Sequence, residues 1–234
     1  MLDDRGSLPK HMQISEMLVR EVASGRLSDG ARLPPERDMA SELQISVGTL
    51  RRALDNLTER GLLERVQGSG NYVRARGDVR SIYAFFRLEV PGGGGLPTAE
   101  VLSAAPVERP EGLLTEGGNA EVLRIRRLRL LDDKPAALEE IWLDVDVATR
   151  LRATDLSESL YLSFQRELGV AIDRTEDRVS VAQVPDWGHG QLDIAPGTPC
   201  GHVRRLGWAG SRGIVETSET WFDGERAQFV SRNR

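Results

Sequence analysis

Arg51 and Arg52 stand side by side, two residues after Thr49, with Gly48 and Ser46 just ahead of them. This is a set of donors, not a set of nucleophiles. A guanidinium fork matches the O6 and N7 acceptors of guanine and the oxygens of a phosphate. Thr49 offers a hydroxyl to a phosphate and a methyl to a thymine. A second charged set lies far along the chain, in Arg127, Arg129, Glu139 and Glu216. These residues alternate with large apolar ones in extended stretches, so charge falls on faces that should be buried. Buried charge is costly unless paired or liganded. The second set is therefore either an internal Arg–Glu network or a pocket for a small anion, with arginine forks on phosphate or carboxylate.

The first set needs a helix to present it. Pro34 and Pro35 suit a helix start, where a missing N–H costs nothing. Glu36 and Asp38 then fall in the first turn, where the helix dipole favours negative charge. Met39, Ala40 and Leu43 give this short helix an apolar side, and Gln44-Ile45 make a turn. Ser46 is a good N-cap for a second helix over residues 47–60, with Leu50, Ala53, Leu54 and Leu57 as its buried stripe. Gly48, Arg51, Arg52 and Asp55 lie off that stripe and face outward. Gly61 suits a left-handed helix end. Leu62, Leu63 and Val66 lead to the turn Gln67-Gly68-Ser69-Gly70, which returns the chain through Asn71-Tyr72-Val73-Arg74 as a small hairpin.

Helix, turn, helix and hairpin wing, in that order, form a DNA-reading device. The expected contacts are Arg51 to a base, Arg52 to a base or phosphate, Thr49 and Ser46 at the helix start, and Arg37 to phosphate. Gly48 allows close backbone approach, and Gln67, Gly68 and Gly70 present wing backbone to the minor-groove edge. Two arginines on a lone helix would read as a solvated face; the full order of elements is what favours DNA. A winged helix used only for protein contacts is the alternative.

Charge supports a local rather than a global basic surface. The 234-residue chain carries a net charge of −5. Residues 1–77 sum to +1 and the remainder to −6, while residues 46–76 alone hold six arginines against three acids. Such a chain should need two copies on a two-fold operator to bind tightly. The length suits two domains, expected at 1–77 and 78–234. The single cysteine, Cys200, leaves no internal disulfide framework and fits a reducing cytoplasm. No apolar run approaches the roughly 18 residues of a spanning helix, and the opening MLDDRG lacks a signal-peptide pattern, so no membrane role is expected.

Residues 75–81 read as a linker, and Gly92-Gly93-Gly94-Gly95 as a plain loop. From Ala99 on, strands dominate: 122–131, a turn at Asp132-Asp133-Lys134-Pro135, 136–143, 175–184, and a closing hairpin of 202–208 with 214–222. A helix is expected over 156–168, with Leu156, Leu160, Phe164 and Leu168 on one stripe, and a short one over 186–194. Strands joined by turns favour an antiparallel α+β domain. Strand side chains alternate with period two. Leu123, Ile125, Arg127, Arg129 and Leu131 therefore share a face, as do Glu139, Ile141 and Leu143, and Ile214, Glu216, Ser218, Thr220 and Phe222.

Two resemblances sharpen these readings. The motifs Leu33-Pro34-x-Glu36-Arg37, Ile45-Ser46-x-x-Thr49-x-Arg51-x-Ala53-Leu54, Gly61-Leu62-Leu63 and Gln67-Gly68-x-Gly70 resemble the N-terminal winged helix-turn-helix domain of the GntR family of bacterial transcription regulators. Pro9 to Ile14 and Ser24-Gly25-Arg26-Leu27 resemble that family's first helix and its exit. Gln44 stands where many members have glycine, and Val47 where many have arginine, so the commonest operator of the family is not carried over. The motifs Arg127-Leu128-Arg129, Pro135-x-x-x-Glu139, Ser159-Leu160-Tyr161, Val215-Glu216 and Gly224-Glu225-Arg226-x-x-Phe229 resemble the chorismate-lyase-like UTRA effector-binding domain of the HutC-type subfamily. That resemblance implies that Arg127, Arg129, Glu139, Ser159, Glu216 and Phe222 line the site of a small metabolite. Phe222 stands where a tyrosine is common, and Asp223 and Ala227 replace an arginine and a tyrosine.

The implied function is a homodimeric DNA-binding transcription regulator, a repressor of operator DNA, controlled by a small anionic metabolite. A sugar phosphate, an amino-sugar phosphate or a small carboxylate would suit two arginines and two glutamates. An effector-independent DNA binder is the second class. A lyase-like enzyme is the third, and it has no support in the residues: no nucleophile–base pair, metal spacing or cofactor motif is present, and His11, His189 and His202 are isolated.

Overall fold

The computed structural model describes residues 8–75, 81–83, 85–116, 118–144, 151–195 and 197–232. The chain divides into two compact units, Leu8–Phe86 and Arg87–Val230. The boundary expected at Gly77, and most of the expected linker, fall within residues 76–80, outside the described residues.

The first unit holds three helices and a wing: α1 (Lys10–Ala23), α2 (Glu36–Glu42), α3 (Val47–Glu59), β1 (Leu63–Val66) and β2 (Gly70–Val73). Ile14, Leu18, Val19 and Val22 of α1 are buried with Leu50, Ala53, Leu54 and Leu57 of α3. The apolar stripe of α3 thus becomes the core. Ser15 Oγ lies 2.7 Å from Asn56 Oδ1, and Arg60 pairs with Glu16 at 2.7 Å, so polar contacts also tie α1 to α3. Gln44 turns the chain between α2 and α3 with φ +52°, a conformation that explains why glycine serves well there. Ser46 Oγ accepts the Thr49 N–H at 3.1 Å and caps α3. In the wing, Leu63 pairs with Val73 and Val66 with Gly70, and Arg32 adds an isolated bridge to Tyr72.

The second unit is built on a six-stranded antiparallel sheet. Its strands are β4 (Pro97–Glu108), β5 (Glu121–Leu131), β6 (Lys134–Asp144), β7 (Arg174–Gln183), β8 (Pro199–Trp208) and β9 (Ile214–Phe222), in the order β4-β5-β6-β9-β8-β7. The short strands β3 (Leu88–Glu89) and β10 (Gln228–Phe229) pair separately with each other. One sheet face carries Leu123, Ile125, Ile141 and Leu143, covered by Leu156, Leu160, Phe164 and Val170. The other carries Leu128, Leu138 and Trp221, packed with Val184, Leu192 and Cys200. Both faces are covered, which is why Leu138 and Leu143 are fully buried although they point to opposite sides.

Three expectations need correction. The helix expected over 156–168 begins at Leu160: α4 spans Leu160–Ser163 and runs on as a π turn, Phe164–Leu168. Ser159 is its N-cap, accepting the Leu162 N–H at 3.4 Å, and Leu156 reaches the same apolar cluster from extended chain. The apolar spacing was therefore a packing signal rather than a helix start. The helix expected over 186–194 is a single 3-10 turn, Asp186–Gly188, because Gly188 lies against Leu138 with no room for a longer wheel of side chains. The turn expected over Asp132-Asp133-Lys134-Pro135 is Asp132-Asp133 alone, at φ +51° and +60°, because Lys134 and Pro135 already pair with Leu131 and Leu130 as the start of β6. Strand β4, for which no single stretch was marked, is an edge strand with a bulge between Val101 and Ser103.

Among the described residues, no helix is long and apolar enough to cross a membrane.

Candidate functional sites

The outward face of α3 carries the first set of candidates. Arg51 is 64% exposed, and its Nε donates to Glu36 Oε2 at 2.7 Å. That hydrogen bond is the main cause holding the Glu36 carboxyl below the usual carboxylate range, against a smaller opposing effect of burial. The contact steadies the Arg51 stem. Arg52 and Arg37 are exposed. Gly48 is also exposed, and a Cβ there would meet only Ser46 Oγ, at 3.8 Å. The Ser46 and Thr49 hydroxyls sit 2.9 Å apart, so each already has a partner at the helix start.

In the wing, Gln67 and Gly68 are exposed at the tip, and Gly68 (φ +74°) and Gly70 (φ +133°) both adopt positive φ. Sequence reasoning missed two arginines here. The Arg32 guanidinium lies beside Gly70, 3.1 Å from where a Cβ would stand. Arg65 pairs with Asp55 at 2.7 Å and joins the wing to α3. Both lie outside the helix pattern that carried the motif, and only the fold brings them to this surface.

The second set lies on one face of the six-stranded sheet. Arg127 pairs in register with Glu139, and Glu139 with Thr220; four residues along β6, Leu143 pairs with Glu216. Arg127 is 4% exposed and its guanidinium donates to Glu139 Oε2 at 2.5 Å, while Arg129 Nε lies 3.4 Å from Glu139 Oε1. Both guanidiniums also donate to the Glu158 carbonyl, at 3.5 Å from Arg127 and 2.6 Å from Arg129. Burial tends to raise the Glu139 carboxyl, but the two guanidiniums outweigh it and hold the group charged.

The same face brings in residues that the sequence did not single out. Arg205 makes a two-pronged contact with Asp177, at 2.5 and 2.7 Å. Burial disfavours its charge, but Tyr161, Asp177 and Glu216 together more than compensate. The Glu216 carboxyl is pushed up by burial despite Arg205, and its Oε1 accepts a hydrogen bond from Ser218 at 2.9 Å. The Tyr161 hydroxyl is pushed up by burial and by the neighbouring Glu216. Arg87 is close enough to Arg205 and Asp177 to feel both, and burial followed by Arg205 lowers its pKa. Period-two alternation does place Asp177 and Arg205 each on a definite strand face, but it cannot say which strands are neighbours.

The remaining expected residues are spread around this cluster. Ser159 is buried and committed to capping α4. Phe222 lies at the other end of β9, over Gly201, where a Cβ would collide with its ring. Arg127, Arg129 and Glu139 are therefore in direct contact, Glu216 sits with Arg205 and Tyr161, and Phe222 forms a separate wall. On the opposite sheet face His202 stacks on Trp221 at 5.2 Å and pairs with Glu219 at 3.5 Å. Cys200 is buried, with burial raising its thiol. Among the described residues, no group of three His, Cys, Asp or Glu side chains is arranged to hold a metal ion.

Comparison with known proteins agrees with this division. Residues 10–73 match the model of the bacterial regulatory proteins of the gntR family, and residues 93–228 match the UTRA domain. The HTH-type transcriptional regulator SmoD of Agrobacterium fabrum is 53% identical over 98% of each chain. The HTH-type transcriptional repressor NagR of Bacillus subtilis is 25% identical, over 98% of this chain and 96% of its own. The mannosyl-D-glycerate transport/metabolism system repressor MngR of Escherichia coli is 29% identical over 96% of each. In fold, the structure of the possible transcriptional regulator YydK of Bacillus subtilis matches with a TM-score of 0.55 and 18% identity, over 97% of this chain and 100% of that one. The ligand-binding domain of a GntR-family regulator from Bordetella bronchiseptica matches 64% of this chain and 98% of its own, with a TM-score of 0.59 and 20% identity. An N-terminal winged helix with an exposed arginine face, followed by a UTRA sheet, places this chain in the GntR family as a HutC-type DNA-binding transcription regulator with an effector-binding domain, and not among enzymes.

Proposed function

We propose that this regulator acts in the cytoplasm as a homodimeric repressor whose grip on double-stranded operator DNA is set by a small anionic metabolite. Residues 1–77 would read the operator, and residues 78–234 would bind the effector and a second copy. Arg51 reads a base, Arg52 a base or phosphate, and Arg37, Ser46 and Thr49 position the helix on the backbone. Gly48 gives close approach, and Gln67, Gly68 and Gly70 follow the minor-groove edge. The effector site is formed by Arg127, Arg129, Glu139, Ser159, Glu216 and Phe222, with Arg205 and Tyr161 added by the fold.

The observation that carries the effector class is the convergence of three buried guanidinium forks: Arg127, Arg129 and Arg205 share one sheet face, where Glu139 and Asp177 hold them in fixed orientation. Oriented forks of this kind match the oxygens of a phosphate or carboxylate. A relative named as the repressor of a mannosyl-D-glycerate transport/metabolism system supports sugar-bearing carboxylates as the first chemistry to try, beside the sugar phosphates and amino-sugar phosphates that arginine forks also suit.

The test is a thermal-shift screen of the purified protein against those classes, followed by operator binding with each hit. A true effector raises the melting temperature with concentration and changes operator affinity, and both responses vanish in Arg205→Ala. Hits that never alter operator affinity would sink the effector reading. The direct Arg127–Glu139 contact favours a second reading, an effector-independent DNA binder in which the charges only hold the sheet together. Under that reading Arg205→Ala lowers stability and leaves regulation untouched.

A further inference from the structure

The wing tip of the first unit, Val66-Gln67-Gly68-Ser69-Gly70, carries no charged side chain. It is a slim turn. The Ser69 N–H donates to the Val66 carbonyl at 2.9 Å, the Ser69 and Tyr72 hydroxyls lie 2.7 Å apart, and a Cβ at Gly68 would meet nothing within 4 Å. The cation at this tip comes from elsewhere in the chain. Gly30 N–H donates to the Val73 carbonyl, Val73 N–H to the Ala31 carbonyl and Leu33 N–H to the Asn71 carbonyl, each at 2.9 Å, so residues 30–33 add a third strand to the wing. Arg32 bridges Tyr72 in that strand, which puts its side chain on the face of Tyr72 and Gly70. Its guanidinium lies along Gly70, with Nε, Nη2 and Cζ at 3.1, 3.5 and 3.8 Å from where a Cβ would stand. Arg32 is exposed. Arg26, Arg51, Arg60, Arg65 and Arg74 of this unit are each held by a carboxylate, whereas Arg32 has no ion pair among the described residues.

We infer that Arg32 is the minor-groove cation of the wing: it enters the groove beside each half-site and favours A·T-rich sequence there through groove width. The inference rests on the DNA-reading role of α3 proposed above and adds a second determinant of operator choice. The position suits this role. Arg32 stands between the wing tip and the start of α2, where Glu36 holds Arg51 of the reading helix at 2.7 Å. The bulk suits it too, because the minor groove is only about 6 Å wide and the tip offers two glycines, a serine and one flat guanidinium. A groove narrowed over A·T-rich steps has an enhanced negative potential that draws in arginine. A guanidinium is weakly hydrated and gives up water there more readily than an ammonium does. Gly70 admits the fork, since its φ of +133° and missing Cβ let the guanidinium lie against the backbone. Such selectivity is for groove shape rather than for one base, so it separates from the base that Arg51 reads.

The probe is a DNA fragment selected from a random-sequence library by the full-length wild type, with a second copy whose base pairs just outside the half-sites are exchanged between A·T and G·C. Binding of wild type, Arg32→Ala, Arg32→Gln, Arg32→Lys and Arg51→Ala is titrated by fluorescence anisotropy over a range of salt, and circular dichroism checks each fold. Wild type is expected to prefer A·T flanks. Arg32→Ala and Arg32→Gln should lose that preference while keeping the base choice that Arg51→Ala relaxes. Their plot of log affinity against log salt should be shallower by about 0.9 for each half-site bound. Arg32→Lys should recover the slope but less of the flank preference. Equal weakening on both flanks would make Arg32 a phosphate clamp and overturn the groove reading, as would a wild type indifferent to its flanks. Unchanged slope and flank preference in both neutral variants, with Arg51→Ala weakened, would overturn the role of Arg32 and leave α3 as the reader. A wild type that selects no sequence, or an Arg51→Ala that binds as wild type does, would overturn the α3 reading itself.

Discussion

The two units use the same pair of side chains, arginine and glutamate, in opposite surroundings. Arg51 and Glu36 meet in water at 2.7 Å with the guanidinium 64% exposed. Arg127 and Glu139 meet on a buried sheet face, with Arg129 completing the pair. In water the attraction is screened, so the exposed pair does little for stability and instead orients a side chain that remains free to exchange its partner for a base or a phosphate. In the interior the charges were desolvated on folding, so neither can be released without a substitute. An exposed arginine can therefore read DNA, whereas a buried one can accept only a ligand that brings its own negative charge.

The sharpest way to break that contrast is to remove one partner from each pair. Arg127→Ala leaves Glu139 short of a counter-charge in the interior and should cost about 3–5 kcal/mol in the second unit, read by urea denaturation. A cost below roughly 1 kcal/mol would mean that the face is wet and the contrast false. Arg51→Ala should leave urea stability within about 0.5 kcal/mol of wild type. It should weaken operator binding by about 1–3 kcal/mol per half-site, in a fluorescence titration at fixed salt, with selectivity relaxed at one base position. Unfolding of this variant at markedly lower urea would move Arg51 from the reading surface to the scaffold.

A smaller effect comes from the two buried glutamates, whose pKa values move in opposite directions. Glu139 is lowered, so its contribution is present above the ordinary carboxylate value and is lost only as pH falls through its depressed folded value. Glu216 is raised, so its contribution is present at low pH and is lost as pH rises from the ordinary value through the raised one. Melting temperature followed upward through that window should therefore fall for wild type and stay flatter for Glu216→Gln. Parallel profiles would remove Glu216 from the buried set. The smallest effect belongs to Glu36→Gln, which frees the Arg51 stem. Stability should change by less than about 1 kcal/mol, and operator affinity should fall less than in Arg51→Ala.

The two units also differed in how much could be read from residues alone. In the first, the apolar stripe of α3, the Ser46 cap, the Gly61 helix end and the wing glycines are local features, each decided within a few residues of its neighbours. That locality is why the winged helix was legible nearly residue by residue. In the second, the inward strands β5, β6, β8 and β9 announced themselves, but the edge strand β4 did not, because one exposed side and a bulge erase the alternation. Leu156 and Leu160 share one apolar cluster across a change from extended chain to helix, so their spacing suggested a longer helix than exists.

The sequence by itself determined which strand faces carry charge, because side-chain direction in a strand follows from parity alone. It determined in the same way that Arg51 and Arg52 point away from the core of α3. Only the tertiary structure decided which charged faces meet. Arg205 and Asp177 join Glu216 and Tyr161 because β7 and β8 pair with each other and β8 with β9, and Arg32 reaches Gly70 because the chain ahead of α2 bridges to the wing. Strand order and such long-range bridges are settled by the packing of both sheet faces at once, which depends on the whole chain and is written in no single stretch of it.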